Sequence, residues 1–168
     1  GNSEGYNNLA IVYTHLGRLE ESARTYEKAI DLRPNFVPAR HNLGICYFRK
    51  GDFAKCEEIQ KTVVEMWPEY VDAYVSLGAA IQRQAQEEKN PQVKTGKYGD
   101  AVAAYQRAVA LKPDYADAYF NLGIAYAETG RFQEAVKYLE TFLKYKPDAP
   151  NRDRVAEMIR QLKSGPGR

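Results

Sequence analysis

This 168-residue sequence has only two histidines and two cysteines, few nitrogen and sulfur ligands for a metal ion and few members for a nucleophilic relay. Two thiols without a third ligand nearby do not make a zinc site. Helical spacing sets His15 near the end of one helix and His41 near the start of another. Those levels lie about 12 Å apart, too far for shared ligation. No phosphate-binding glycine loop, nucleophile elbow or His-Glu-x-x-His run occurs. The expectation is no enzyme activity, no catalytic residue, no metal and no cofactor. Excess charge of one sign is missing as well: 24 basic and 22 acidic side chains are interspersed, for a net charge of +2. Nucleic-acid binding by bulk charge is therefore not expected. No apolar run reaches transmembrane length, so direct membrane insertion is not expected either, and no secretory leader is visible. The compartment expected is soluble, with the cytoplasm favoured. The chain opens on Gly1 rather than Met, as a piece of a longer protein would, and its first helix is expected to start without a polar cap.

What the sequence does have is a period. Pro34, Pro68, Pro113 and Pro147 fall at spacings of about 34, 45 and 34 residues. Alignment on them gives four units: 3–36, 37–70, 71–115 and 116–149. Each opens with the same run: Tyr6, Leu9, Ala10, Tyr13; then Arg40, Leu43, Gly44, Tyr47; then Tyr74, Leu77, Gly78, Ile81; then Tyr119, Leu122, Gly123, Tyr126. Spacings of three and four put these side chains on one helical face. A glycine follows each run (Gly17, Gly51, Gly96, Gly130) and is expected to end the helix in the left-handed conformation. A second helix follows, with the pairs Ser22/Tyr26, Cys56/Gln60, Ala101/Tyr105 and Ala135/Leu139, and the proline closes the unit.

This pattern resembles the tetratricopeptide repeat, a helix–turn–helix unit that buries its apolar face only by stacking on neighbours. The match covers residues 3 to 149. It implies an all-α fold: a right-handed superhelical solenoid of four helix pairs. Residues 150–163 are expected to add a capping helix, with Val155, Ile159 and Leu162 in one stripe and charged residues elsewhere. The tail 164–168 is expected to be disordered. Arg40, Ile81, Gln60 and Phe142 depart from the family's residue types as variations in packing. Cys46 and Cys56 flank Gly51 at similar heights; a disulfide between them is conceivable, and burial in small-residue slots is the plainer expectation.

In this family the first helix of each pair lines a concave groove. The resemblance implies that the second, fifth, sixth, ninth, twelfth and thirteenth places point into it. The sixth place holds Asn8, Asn42, Ser76 and Asn121. The ninth holds Ile11, Ile45, Ala79 and Ile124. His41 and Phe120 come from the fifth place, Phe48 from the twelfth, and Arg49 and Arg83 from the thirteenth. The resulting picture is an apolar floor beside a file of amides. An asparagine offers a donor and an acceptor to a peptide unit, and a similar asparagine ladder lines the repeat array of O-GlcNAc transferases. Bonding between adjacent helices is the alternative use of the same amides. The chaperone-binding members of the family instead clamp two carboxylates. Aligned with that clamp, this chain offers Asn7, Ile11, Asn42, Asp72 and Ser76, of which only Asn42 fits, so chaperone tails are not the expected ligand.

The function expected is that of a protein–protein interaction module. It would bind an extended or helical segment with apolar side chains in an adaptor, scaffold or assembly role. Two alternatives stay open: a regulatory or substrate-recruiting domain of a larger enzyme, and a scaffold that associates with itself. The third unit carries 11 extra residues, about 85–95. There the first helix is expected to run on by about two turns until Asn90-Pro91 stops it. The polar insert is expected to project into water, as a neutral insertion or a second docking site.

Overall fold

The computed structural model describes residues 2–164. Among the described residues are nine α-helices: α1 (Ser3–His15), α2 (Leu19–Leu32), α3 (Val37–Lys50), α4 (Phe53–Met66), α5 (Val71–Glu87), α6 (Pro91–Leu111), α7 (Ala116–Glu128), α8 (Phe132–Tyr145) and α9 (Arg152–Ser164). The fold class is all-α, built from antiparallel helix pairs. Pro34, Pro68, Pro113 and Pro147 each stand two residues beyond the end of a second helix, where the chain turns without needing their missing N–H. Gly17, Gly51 and Gly130 adopt φ of 72°, 83° and 75° between the helices of a pair. A side chain there would force the left-handed region that only glycine enters freely.

Three sequence expectations need correction. Gly96 ends no helix; it lies inside α6, with φ outside the left-handed region. The break comes earlier, at 88–90, because Asn90 caps α6. Its Oδ1 accepts from the backbone N–H of Gln92 at 3.0 Å and of Val93 at 3.3 Å, with Pro91 in the first turn. Asn90-Pro91 thus stops one helix and starts the next. Residues 91–95 of the insert form the start of α6, which is 21 residues long, and 85–87 extend α5. The insert is not wholly solvated either, since Ala85 is fully buried against Tyr98 and Ala125. Lastly, α1 does have a polar cap: Asn2 Oδ1 accepts from Gly5 N–H at 2.8 Å. The expected disorder of the tail falls, apart from Ser164 at the end of α9, outside the described residues.

A prediction follows from the placement of Gly96. A Cβ added there or at Gly99 meets nothing within 4 Å. Glycine inside a helix costs about 0.8–1 kcal/mol relative to alanine. Gly96→Ala should therefore raise the unfolding free energy by about that amount in a urea titration. A left-handed turn glycine would give the opposite sign, so a destabilised Gly96→Ala protein would refute the helix through this position.

The chain divides into two compact units, Gly1–Gln84 and Ala85–Arg168. In the first, α1 packs on α2, α2 on α3 and α3 on α4. Ala10, Ala23, Tyr26, Ala29, Leu43, Cys46, Tyr47, Cys56 and Ala80 make its main core. Cys46 and Cys56 are free, buried thiols, and burial pushes the Cys56 thiol up to about 12. In the second unit α6 packs on α7, α7 on α8 and α8 on α9. Leu139, Phe142, Val155 and Ile159 are buried together there, with Leu162 packed alongside. Arg152, Arg154, Glu157, Arg160 and Lys163 of α9 are exposed, so this helix buries its apolar stripe and turns a charged side to water.

Two of the departures from the repeat pattern, Arg40 and Gln60, are explained by hydrogen bonds. Arg40 stands where the fourth repeat has Tyr119. Arg40 Nη2 donates to the Pro34 carbonyl at 2.9 Å, and the Tyr119 hydroxyl donates to the Pro113 carbonyl at 2.9 Å. Either side chain ties the start of a first helix to the proline turn before it. Gln60 replaces an apolar residue at a fully buried position. Its Nε2 donates to the His41 carbonyl at 3.0 Å, and its Oε1 faces His41 Nδ1 at 3.0 Å. A buried amide is tolerable when both ends are bonded in this way.

Candidate functional site

The first helices of unit 1 carry nine of the anticipated groove residues without burying them. Asn8, Arg49 and Arg83 are exposed; Ile11, Asn42, Ile45, Phe48, Ser76 and Ala79 are half-buried. The repeat puts Ile11, Ile45 and Ala79 at one helical level, one residue per helix, and the amides beside them. Phe48 is less available than its place suggests. It packs against the core of unit 1 and meets Phe53 edge-on with ring centroids 5.1 Å apart. Arg83 stacks 5.1 Å over the same Phe53 ring.

His41 is a correction. It is not open to solvent as the sequence pattern implies: His41 is 5% exposed, turned toward α4, bonded to Gln60 and edge-on to Tyr70 at 5.1 Å. Burial lowers its pKa, against opposing contributions from the Gln60 hydrogen bond and the Asp72 charge. Asn7, also in the fifth place, is 7% exposed. Asn7 is bonded toward α3 and His41 toward α4, while the sixth- and ninth-place residues Asn8, Ile11, Asn42, Ile45, Ser76 and Ala79 are exposed or half-buried.

The amide file divides into two kinds of rung. Asn42 Nδ2 donates to Asn7 Oδ1 across the α1–α3 contact at 3.2 Å, and Asn7 Nδ2 donates to Asn8 Oδ1 at 3.4 Å. Asn42 thus spends its amide N–H between helices, whereas Asn8 accepts from its neighbour within α1. Among the described residues neither Ser76 nor Asn121 has a side-chain hydrogen bond within the chain.

In unit 2, Phe120, Asn121 and Ile124 are half-buried on α7. Phe120 tilts against Phe142 at 5.3 Å and forms one wall of a recess of about 210 Å³. Phe142, Ala149 and Pro150 complete its apolar lining, and Asp117, Lys146 and Asn151 stand at its rim. Lys146 donates to Asp117 at 2.8 Å. The sequence reading missed this pair, although a signal existed. Glu4 and Arg33, paired at 3.1 Å, stand 29 residues apart in the first repeat, as Asp117 and Lys146 do in the fourth. Both pairs are exposed and contribute about 0–1 kcal/mol.

One expectation about packing is also reversed on α1. Leu9 and Val12 are 43% and 52% exposed, whereas Leu43 and Cys46, their counterparts on α3, are 7% and 0% exposed beneath α2. With Tyr6 at 37% and Leu16 at 63%, they make an uncovered apolar stripe.

Among the described residues no cluster of three or more metal-ligating side chains occurs, and no described helix is long and apolar enough to cross a membrane. No curated protein matches the chain significantly in sequence. Solved structures do resemble it. TTC0263, a tetratricopeptide repeat protein of Thermus thermophilus, superposes with a TM-score of 0.83 at 23% identity, over 97% of this chain and 83% of that one. A MamA crystal structure gives 0.72 at 24% identity, over 96% and 90%. MamA from Desulfovibrio magneticus RS-1 gives 0.76 at 18%, over 98% and 95%. These likenesses establish the fold. Tetratricopeptide repeat profiles match residues 11–51, 37–70 and 93–160. Such repeats generally serve as protein-interaction scaffolds and are typically non-catalytic. On matching profiles, paired helices and left-handed turn glycines together, the chain belongs to the tetratricopeptide repeat family.

Proposed function

We propose that the protein is an adaptor or assembly module that binds a segment of another protein on the open face of its first helices. The observation that carries this reading is the row Ile11, Ile45 and Ala79, held half-buried at matching levels of unit 1 next to Asn8, Asn42 and Ser76. Structural packing alone does not require aliphatic side chains on that face. A net hydrogen bond contributes about 0.5–1.5 kcal/mol, and micromolar affinity needs about 8 kcal/mol. With Asn42 partly engaged by Asn7, the amides supply a minor share. Buried apolar area at roughly 25 cal/mol per Å² supplies the rest. The ligand is therefore a segment with aliphatic or aromatic side chains.

The test is affinity capture from a lysate of the source cell with three baits: the parent, Ile45→Asp and Ser76→Ala. Ile45→Asp should lose the partner by placing a charge in the floor, and Ser76→Ala should weaken retention without altering the melt. Asn42→Ala is a poorer probe because it also severs the α1–α3 bond. A partner retained equally by all three baits would sink the reading.

Self-association is a second reading with its own observation, the uncovered stripe Tyr6, Leu9, Val12 and Leu16 on α1. In that reading the mass measured by light scattering rises with concentration, and Leu9→Lys/Val12→Lys returns it to the monomer value.

A further inference from the structure

We infer that the segment bound on the open face of unit 1 is acidic as well as apolar, its carboxylates lying along a basic edge formed by His15, Arg49 and Arg83. The inference rests on the binding reading above and specifies the chemistry of the ligand.

These three residues occupy the same thirteenth place of successive repeats, near the C-terminal ends of α1, α3 and α5, and all three are exposed. Four other cations of unit 1 stand in ion pairs: Arg18 with Glu21, Arg33 with Glu4, Lys50 with Glu20 and Lys61 with Glu57. Arg49 does not: among the described residues it forms no ion pair, and its hydrogen bond is one long contact, Nη1 to the Thr14 carbonyl at 3.4 Å. A guanidinium has five N–H donors in a fixed fork that suits a carboxylate, so most of that capacity faces outward. The acidic residues of this face, Glu4 and Asp72, stand in the second place of their repeats. That is 11 residues, or roughly 16 Å of helical rise, from the basic edge. The face therefore carries Arg49, Arg83 and the His15 imidazole along one side, aliphatic side chains along its middle, and Glu4 and Asp72 along the other side.

Cations are favoured at helix C-termini in any case, but the helix end does not demand one here. The thirteenth place of the fourth repeat is Glu128, at the C-terminal end of α7. The basic edge is thus a property of unit 1. Nucleic acid also carries negative charge, but an aliphatic row and a net charge of +2 favour an acidic peptide over a phosphate backbone.

The experiment is a selection from random peptides of about 12 residues, long enough when extended to cross three helices roughly 10 Å apart. Baits are the full chain, Ile45→Asp, Arg49→Gln and Arg49→Gln/Arg83→Gln, each checked for an unchanged helical circular-dichroism melt. The parent should select peptides in which Asp or Glu recurs beside Leu, Ile or Phe. Arg49→Gln should weaken the strongest of them about tenfold. Raising salt from about 0.05 M to 0.5 M should weaken the parent complex more than the double variant's. Peptides that depend on Ile45 but are neutral or basic, or bind Arg49→Gln as well as the parent, would overturn the acidic inference alone. Selected peptides indifferent to Ile45→Asp, or none at all, would overturn the binding reading and this inference with it. Tighter retention of a single-stranded RNA 12-mer than of any peptide, lost in the arginine variants, would assign the edge to nucleic acid instead.

Discussion

Leu139→Ala should lower the unfolding free energy by about 2–5 kcal/mol in a urea titration, and Gly123→Ala by about 1–3 kcal/mol. The two effects have one cause. Leu139 is fully buried among Ala116, Phe142, Val155 and Ile159. It lies directly on the backbone of α7: a Cβ on Gly123 would meet Leu139 Cγ at 2.6 Å and Cδ2 at 2.7 Å. No real Cβ tolerates such contacts, and Leu139 has nowhere to retreat in a filled core. The gain of about 1 kcal/mol from replacing a helical glycine does not offset the overlap. Truncating Leu139 leaves a void beside Gly123 that an alanine methyl partly fills. The double variant Gly123→Ala/Leu139→Ala should therefore lose less than the sum of the single losses, by about 1 kcal/mol or more, well beyond the roughly 0.3–0.5 kcal/mol scatter of independent sites. Additive losses would mean that α7 and α8 do not meet at this residue.

The second repeat uses the same device with different chemistry, and the comparison shows what a sequence can and cannot disclose. There Gly44 receives the side chain of Gln60, whose Nε2 crowds the position a Cβ on that glycine would take. The period, the proline stops and three of four turn glycines are legible because each rests on local backbone chemistry. Gly96 misleads because counting from Pro113 restores the register without regard to the Asn90-Pro91 cap, which acts first along the chain. The place of Gln60 reads only as a missing apolar residue, since its partner His41 lies 19 positions earlier and the pair forms only once α3 and α4 have packed. The sixth and ninth places can be counted off the repeat, and their residues in unit 1 are exposed or half-buried. Which amides are already bonded depends on a contact between α1 and α3 that periodicity does not contain, as the Asn7–Asn42 bond shows.

Gln60 and His41 should also make the fold sensitive to mild acid. Gln60 Nε2 donates to the His41 carbonyl, so its Oε1 is the acceptor facing His41 Nδ1, which must carry the proton of the neutral ring. Burial holds the ring's pKa below its usual value, the Gln60 hydrogen bond and the Asp72 charge opposing. The unfolded chain takes up a proton as pH falls through about 6.5, while the folded chain resists until a lower pH. Between those two values the unfolded state binds more protons, so stability falls with falling pH, by at most about 1.4 kcal/mol per pH unit. Gln60→Leu keeps the volume but removes the acceptor. It should cost about 1–3 kcal/mol at neutral pH by stranding a buried N–H. It also removes a contact that favours the protonated ring, so the acid-sensitive window should extend further down. Replacing both partners, as in His41→Phe/Gln60→Leu, strands nothing and keeps an aromatic ring against Tyr70. That protein should be close to the parent at about pH 7.5 and should lack the parent's extra loss of stability as pH falls below about 6.5. Parallel pH–stability curves for the parent and the double variant would mean that His41 is solvated rather than held against α4.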